Sequence, residues 1–328
     1  MSALVLIRGM GSIGRRHARV FSALGARVVG WPVRPRGGAC DGLTLLGDRD
    51  AVAVAADADL VVVCTDTARH VDDTLAALAA GARRILVEKP VASSVADVER
   101  LLAHPSARDR VAVAAPMRAH LGFRAFRASV NALDRPHSAT VFSQSWLPSW
   151  RPDRDYRESY SARPDEGGAL RDLIHEIDYA LVVFGRPRRV NAVLEAGGPL
   201  DMAAEQGATL LWSTQSASVT VRVDYITRPA RRGAVVTSPS GSVSWDPMTA
   251  SVTTVDPEGR STTSSTATDL DRDTVMRRQA LAALTTAPDA PLAVRLDAGG
   301  PASLAEGVQA VQICDDARCT PSESTLSP

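Results

Sequence analysis

The chain has 328 residues, and its 37 acidic side chains cancel its 37 basic ones. No long run of either sign leaves the electrostatic footprint of a nucleic-acid or anionic-membrane binder. The length and 45% hydrophobic content suit two domains with real cores, and no apolar run approaches the length of a membrane span.

Leu4-Val5-Leu6-Ile7 is an all-apolar run, the pattern of a strand buried on both faces. Gly9-Met10-Gly11-Ser12-Ile13-Gly14 follows at once. Ile13, His17, Val20, Phe21 and Leu24 then repeat at helical spacing, Gly25 ends the helix, and Val28 to Trp31 reads as a second strand. A G-x-G-x-x-G between strand and helix is the context of a dinucleotide site, with Gly9, Gly11, Ser12, Ile13 and Gly14 as contacts. The glycines let the backbone approach a pyrophosphate whose charge sits on the free amides of the helix start. The acid that usually follows the second strand is missing; the sequence there is Trp31-Pro32-Val33-Arg34-Pro35-Arg36. An acid would grip a ribose 2′-hydroxyl, whereas Arg suits a 2′-phosphate, so NADP is favoured over NAD with Arg34 as the contact. Both arginines also fit as solvated loop charges.

Asp48 to Ala56 reads as a short helix and Leu60 to Cys64 as the next buried strand, with Thr65, Thr67 and His70 at its C-terminal end as candidate cofactor contacts. A helix around Val71, Leu75, Leu78 and Ala79 leads to a strand over Arg83 to Val87, which delivers Glu88-Lys89-Pro90. Lys89 is the sole lysine; the other 36 basic residues are Arg. Arg stays protonated, whereas a Lys can be tuned to give and take a proton, and open α/β sheets bind ligands at the C-terminal ends of their strands. Glu88 and Lys89 therefore join the candidate cofactor contacts, with a plain surface lysine as the alternative. Ser94 and Asp97 form a capping box before Val98, Leu101 and Leu102, and Val111 to Ala114 is one more strand. Alternating strands and helices mean a Rossmann-type, doubly wound parallel sheet, assigned to residues 1–119.

Beyond residue 120 the reading changes to strands: Val141-Phe142, Arg189 to Ala196, Ala208 to Trp212, Ser218 to Ile226, Ala234 to Ser238 and Ser242 to Trp245. A mainly antiparallel α+β domain over 120–319 is expected, with an edge strand and loose loop in Ser251 to Asp269 and a disordered tail over 320–328. One helix is predicted from Ala169 to Phe184. Asp172, His175, Glu176 and Tyr179 share its polar side, opposite Leu173, Ile174, Ile177, Ala180, Leu181 and Phe184. His175 is thus outside the apolar stripe, either functional or merely solvated. Cys40, Cys64, Cys314 and Cys319 match neither a disulfide framework nor a zinc spacing. With no signal peptide pattern, a soluble, cytoplasmic protein is expected.

Gly9–Gly14, Thr65 to His70, Glu88-Lys89-Pro90 and Gly167-Gly168 with the His175 helix, in that order, resemble the glucose–fructose oxidoreductase/inositol dehydrogenase/MocA (Gfo/Idh/MocA) family. Trp146-Leu147-Pro148, Trp150-Arg151-Pro152 and Asp155 to Tyr160 resemble a branch linked to surface-sugar or natural-product biosynthesis. The resemblance implies an NAD(P)-dependent enzyme oxidising a secondary alcohol, or reducing the ketone, of a sugar, cyclitol or sugar nucleotide. It implies Lys89 beside the nicotinamide, before a cis peptide bond, and His175 as proton carrier. The family's acid four residues before that histidine is replaced by Arg171, leaving Asp172 as the candidate. Its Asn-x-Arg appears as Pro116-Met117-Arg118, so Arg118 alone is expected to touch substrate. Tyr156, Arg157 and Tyr160 either hydrogen-bond substrate hydroxyls or pack their loop on the helix. A homodimer or homotetramer follows by the same analogy. Redox-neutral chemistry with tightly held cofactor, and a non-catalytic dinucleotide-binding regulator, are the competing readings.

Overall fold

The computed structural model describes residues 2–34, 42–285 and 299–319. The chain forms two compact units, one of Met1–His120 with Asp271–Val308, the other of Leu121–Leu270 with the chain from Gln309 on. The first runs through β1 (Leu4–Arg8), α1 (Ser12–Ala23), β2 (Arg27–Trp31), β3 (Thr44–Leu45), α2 (Asp48–Ala55), β4 (Leu60–Val63), α3 (His70–Ala79), β5 (Ile85–Val87), α4 (Val95–Leu102), α5 (Ala107–Arg110) and β6 (Val111–Val113). The second holds α6 (Leu121–Asn131), β7 (His137–Trp146), α7 (Ala169–Asp172), α8 (His175–Phe184), β8 (Val190–Glu195), β9 (Gly207–Ser213), β10 (Ala217–Asp224), β11 (Ile226–Ser238), β12 (Gly241–Asp246), β13 (Ser251–Val255) and β14 (Ser261–Ser265). The chain then returns to the first unit in α9 (Arg272–Thr285) and β15 (Ala302–Ser303) and ends its described part in α10 (Leu304–Cys319).

The strands of the first sheet lie in the order β3-β2-β1-β4-β5-β6-β15, all parallel except β15, which runs against β6. This is the doubly wound order, and it reverses between β1 and β4. Every residue of β1, β4, β5 and β6 is buried, as continuous apolar runs require. Full burial of each such Val, Leu or Ile contributes about 1.5–3 kcal/mol. Phe21 and Ala18 of α1 share one core with Val5, Ile7, Leu60, Val62 and Leu86. The Ser94 hydroxyl accepts from the Asp97 amide at 3.1 Å and donates to its carboxylate at 2.8 Å, so Ser94 caps α4 as expected, with Asp97 returning its bond to the hydroxyl.

The expected second domain over 120–319 is not one stretch, because Asp271–Val308 belong to the first unit. Met276, Ala280 and Ala283 of α9 enter the core beside α1, and Gln279 accepts from the Ala115 amide at 2.7 Å. The expected tail, 320–328, lies outside the described residues.

The second sheet runs β14-β13-β12-β11-β7-β10-β9-β8, antiparallel at every pairing but β7 with β10. Ser251 to Asp269 supplies two strands rather than one, β13 inside the sheet and β14 at its edge. Phe123 of α6, Tyr179 of α8 and Trp245 of β12 meet at centroid distances of 5.3–5.7 Å and fill this unit's core. No helix among the described residues is long and apolar enough to cross a membrane.

Candidate active site

The turn after β1 is set by backbone crowding. Gly9 has φ +93°, and a Cβ there would lie 2.7 Å from the Cys64 carbonyl oxygen. A Cβ on Gly14 would lie 1.9 Å from the Gly9 carbonyl oxygen. Neither position takes any other residue. Gly11 differs: a Cβ there meets nothing within 4 Å. Gly11 is the N-cap of α1 and offers no side-chain cap, and no acid occupies the first turn. Ser12 is exposed and Ile13 half-buried. Free amides at the positive end of a helix, approached over a bare glycine, fit a pyrophosphate.

Beside this turn, Trp31 closes β2. Its indole N–H donates to Asp48 Oδ1 at 2.6 Å, and the Arg8 guanidinium stacks over its ring at 4.3 Å. Arg8 is itself held by Asp73 at 3.0 Å and by the Pro32 carbonyl at 3.1 Å. The sequence offers no acid at the end of β2, but the fold brings Asp48 there from the first turn of α2. The carboxylate is 84% exposed. Arg34 is exposed, and Arg36 lies outside the described residues.

At the ends of β4 and β5 the expected contacts divide. Thr67 is buried in a 3₁₀ turn, Thr67–Arg69. The buried Thr65 hydroxyl has no hydrogen-bond partner among the described residues. His70 points inward, both ring nitrogens against backbone carbonyls, and so serves the turns rather than the surface. Glu88 turns back to α1, where its carboxylate meets His17 Nε2 at 2.7 Å. Burial would raise the Glu88 pKa, but His17 and Lys89 outweigh it and hold the carboxyl below its ordinary value. Lys89 is half-buried, and Lys89–Pro90 is cis. Arg118, expected at substrate, is 2% exposed and pairs with Glu306 of α10 at 2.9 Å.

In the second unit the predicted helix over 169–184 is broken. α7 ends at Asp172, Leu173 departs from helical geometry at φ −96°, ψ 31°, and α8 starts at His175. α8 is covered on both sides, so Glu176 and Tyr179 are buried just as Ile177 and Ala180 are, with Glu176 against Arg232 at 2.6 Å. Glu205 fixes the start of α7, accepting from Leu170 N at 3.2 Å through its carboxylate and from Ala169 N at 3.0 Å through its carbonyl. Arg171 braces the preceding loop through the Pro164 and Asp165 carbonyls.

Asp172 is buried and accepts three hydroxyls: Tyr160 at 2.5 Å, Ser161 at 2.8 Å and Tyr225 at 3.0 Å. Burial, and then the Asp172 charge, raise both phenol pKa values well above the ordinary tyrosine range. His175 is half-buried three residues on. Trp150 stands edge-on to Tyr225 at 5.5 Å and is 39% exposed. Tyr156 and Arg157 brace their own loop. The Tyr156 hydroxyl accepts from Asp201 N at 3.0 Å, and Arg157 pairs with Asp155 at 2.9 Å and Asp201 at 3.2 Å. The structure thus gathers Tyr160 and Asp172 into one network and turns Tyr156 and Arg157 to other partners.

Residues 3–115 match the model of an oxidoreductase family with an NAD-binding Rossmann fold, and residues 130–244 match the Gfo/Idh/MocA C-terminal domain. The chain belongs to the Gfo/Idh/MocA oxidoreductase family. Its first unit is the family's NAD-binding domain, which agrees with the free amides of α1. No curated protein matches the chain. Among solved structures, levoglucosan dehydrogenase with NADH and levoglucosan superposes with a TM-score of 0.79 at 18% identity, over 98% of this chain and 97% of that one. The UDP-N-acetylglucosamine 3-dehydrogenase of Acidithiobacillus ferrooxidans does so with a TM-score of 0.71 at 17% identity, over 98% of both chains. Biliverdin reductase from Synechocystis with NADP+ and biliverdin gives 0.73 at 17% identity, over 96% of this chain and 98% of that one. At these identities the likeness is one of fold. The Gfo/Idh/MocA architecture is thereby confirmed on both units.

Proposed function

We propose that this protein is an NAD(P)-dependent dehydrogenase or reductase of a secondary alcohol or ketone on a sugar, cyclitol or sugar nucleotide, working in a biosynthetic pathway. The observation that carries the reading is the glycine turn at the β1/β4 switch point, opening onto the free amides of α1 in a family of oxidoreductases. When bound, the nicotinamide supplies hydride exchange at its C4. Gly9, Gly11, Ser12, Ile13 and Gly14 hold the pyrophosphate. Arg34 favours a 2′-phosphate, and Asp48 favours the free hydroxyl.

The alcohol proton must move at the carbon that exchanges hydride. His175, of a residue type with a reference pKa of about 6.5, carries it. Lys89 polarises the substrate oxygen as a cation or relays the proton when neutral. Asp172, held by three hydroxyls, fixes the end of α7 just before His175. Val193, Leu211 and Val235 are exposed on one face of the second sheet, Leu211 and Val235 in one cross-strand row through Thr220 and Thr140 and Val193 in the next row beside Thr209, and this favours a homo-oligomer paired there.

The test is a screen of polyols, cyclitols and sugar nucleotides with NAD and NADP, following reduced-nicotinamide absorbance. Lys89→Met should abolish turnover and leave cofactor binding intact; near-normal rates in that variant end the assignment. Cofactor that co-purifies and returns unchanged after turnover selects redox-neutral chemistry instead.

A further inference from the structure

His70 opens α3 and is 2% exposed. Its Nδ1 lies 2.7 Å from the Pro90 carbonyl oxygen and its Nε2 3.0 Å from the Thr65 carbonyl oxygen. A carbonyl only accepts, so each contact needs an N–H on the ring. A neutral imidazole has one N–H and one lone pair; the imidazolium alone has two donors. In the neutral ring, therefore, one arm is a hydrogen bond and the other sets a nitrogen lone pair against an oxygen lone pair. In the charged ring both arms hold.

The two carbonyls belong to turns that end neighbouring strands, since β4 pairs with β5. Thr65 lies just past β4, and Pro90 directly follows Lys89. The charged and titratable groups around the ring pull in both senses. Burial lowers the His70 pKa below its ordinary value, while the two carbonyls, Glu88 and Asp73 raise it. Asp73 is engaged by Arg8 and Arg69, and Glu88 by His17, with the buried Cys64 thiol also near Glu88.

We propose that His70 is a positioning residue with a proton-dependent grip. Doubly protonated, its ring ties the turn after β4 to the turn that carries Lys89; on losing one proton it lets one of the two go. The consequence for turnover rests on the proposed role of Lys89, whereas the grip itself stands on the geometry of the first unit.

Lys89 is the sole lysine, so isotope-labelled lysine gives a single residue to observe by NMR. The Lys89 signals and the His70 ring nitrogens of the full chain would be followed together from about pH 5 to pH 8, the range in which imidazoles titrate. A step in the Lys89 shifts, backbone amide included, is expected at the pH where the His70 ring passes between one proton and two. His70→Asn and His70→Gln, which keep N–H donors but cannot titrate, should erase that step. The proposal is overturned if His70 titrates and Lys89 does not follow, if the ring stays in one protonation state throughout, or if the step survives in both variants. Should either variant fail to fold by circular dichroism, coincidence in the unmodified protein decides alone. The readout uses neither substrate nor turnover, so a protein inactive in every assay leaves it standing, and its failure leaves the proposed activity standing.

Discussion

The glycine turn after β1 and the hydroxyl network around Asp172 hold their functional groups by opposite means. In the turn, backbone meets backbone: Gly14 fits only because it leaves the Gly9 carbonyl undisturbed, and the amides it frees belong to a single short stretch. Around Asp172, side chains from separate segments converge, with Tyr225 53 positions away from the carboxylate it donates to. A backbone device tolerates change everywhere except at its contact points. A side-chain network fails wherever one member is removed, because each loss leaves a buried polar group unpaired.

The largest effect should come from Gly14→Val. The new side chain starts 1.9 Å from a backbone oxygen that cannot yield. NADH binding by calorimetry should fall more than about a hundredfold, and the melting temperature should fall with it, since overpacking costs about 1–3 kcal/mol or more. Gly11→Ala sharpens the contrast, because its Cβ meets nothing within 4 Å. That variant should keep its melting temperature and lose cofactor affinity alone. Equal melting losses in the two would show that the turn does not divide its work in this way.

Asp172→Asn comes next. The amide keeps one acceptor oxygen and turns two N–H donors towards hydroxyls already committed as donors. Stability should fall by about 1–3 kcal/mol for the contacts left unpaired. With the charge gone, the Tyr160 and Tyr225 phenols should ionise at lower pH than before, still above free tyrosine because burial persists. Absorbance titration reads this directly, and unchanged phenol ionisation would remove Asp172 from the centre of the network.

The same contrast explains what could be read in advance. The glycine turn and the strands β1, β4, β5 and β6 were legible because each is carried by a few consecutive residues whose pattern permits little else. The cap formed by Ser94 and Asp97 is local in the same way. Residues of the second kind were legible only in part. His175 and Asp172 could be named, but the break at Leu173 that separates them could not, nor could the burial of Glu176 and Tyr179 under Arg232, Phe123 and Trp245 from distant segments. Arg118 looked like a ligand contact because its acid partner lies 188 positions on. His70 looked like a cofactor contact because nothing in the sequence shows that two carbonyls would enclose its ring. α9 went unread because its apolar positions have meaning only beside α1.

Arg118 also supplies a pH test. Burial alone would raise the Glu306 carboxyl, but Arg118 and the Ser303 bonds outweigh burial and hold it below its value of 4.5. A depressed carboxyl stabilises the fold above its unfolded pKa, and that contribution is lost as pH falls through the folded pKa. Arg118→Met should therefore lower stability at neutral pH and flatten the acid side of the stability profile. Denaturant melts from neutral pH downward check it, and an unaltered acid slope would show that Ser303 alone holds the carboxylate.

The smallest effect concerns cofactor choice, where the two kinds of construction meet. Asp48 meets the end of β2 through the indole of Trp31 and pairs with Arg8 at 3.6 Å, yet its carboxylate is largely open to solvent. A carboxylate there accepts from a ribose hydroxyl and repels a 2′-phosphate, while Arg34 does the reverse. Asp48→Asn keeps an acceptor for the indole N–H and removes the charge. The ratio of NADP to NAD affinity should rise about tenfold, close to 1.4 kcal/mol. Arg34→Ala should lower that ratio by weakening NADP alone. If Asp48→Asn weakens both cofactors equally, the acid serves to seat Trp31 and Arg8, and the preference belongs to Arg34.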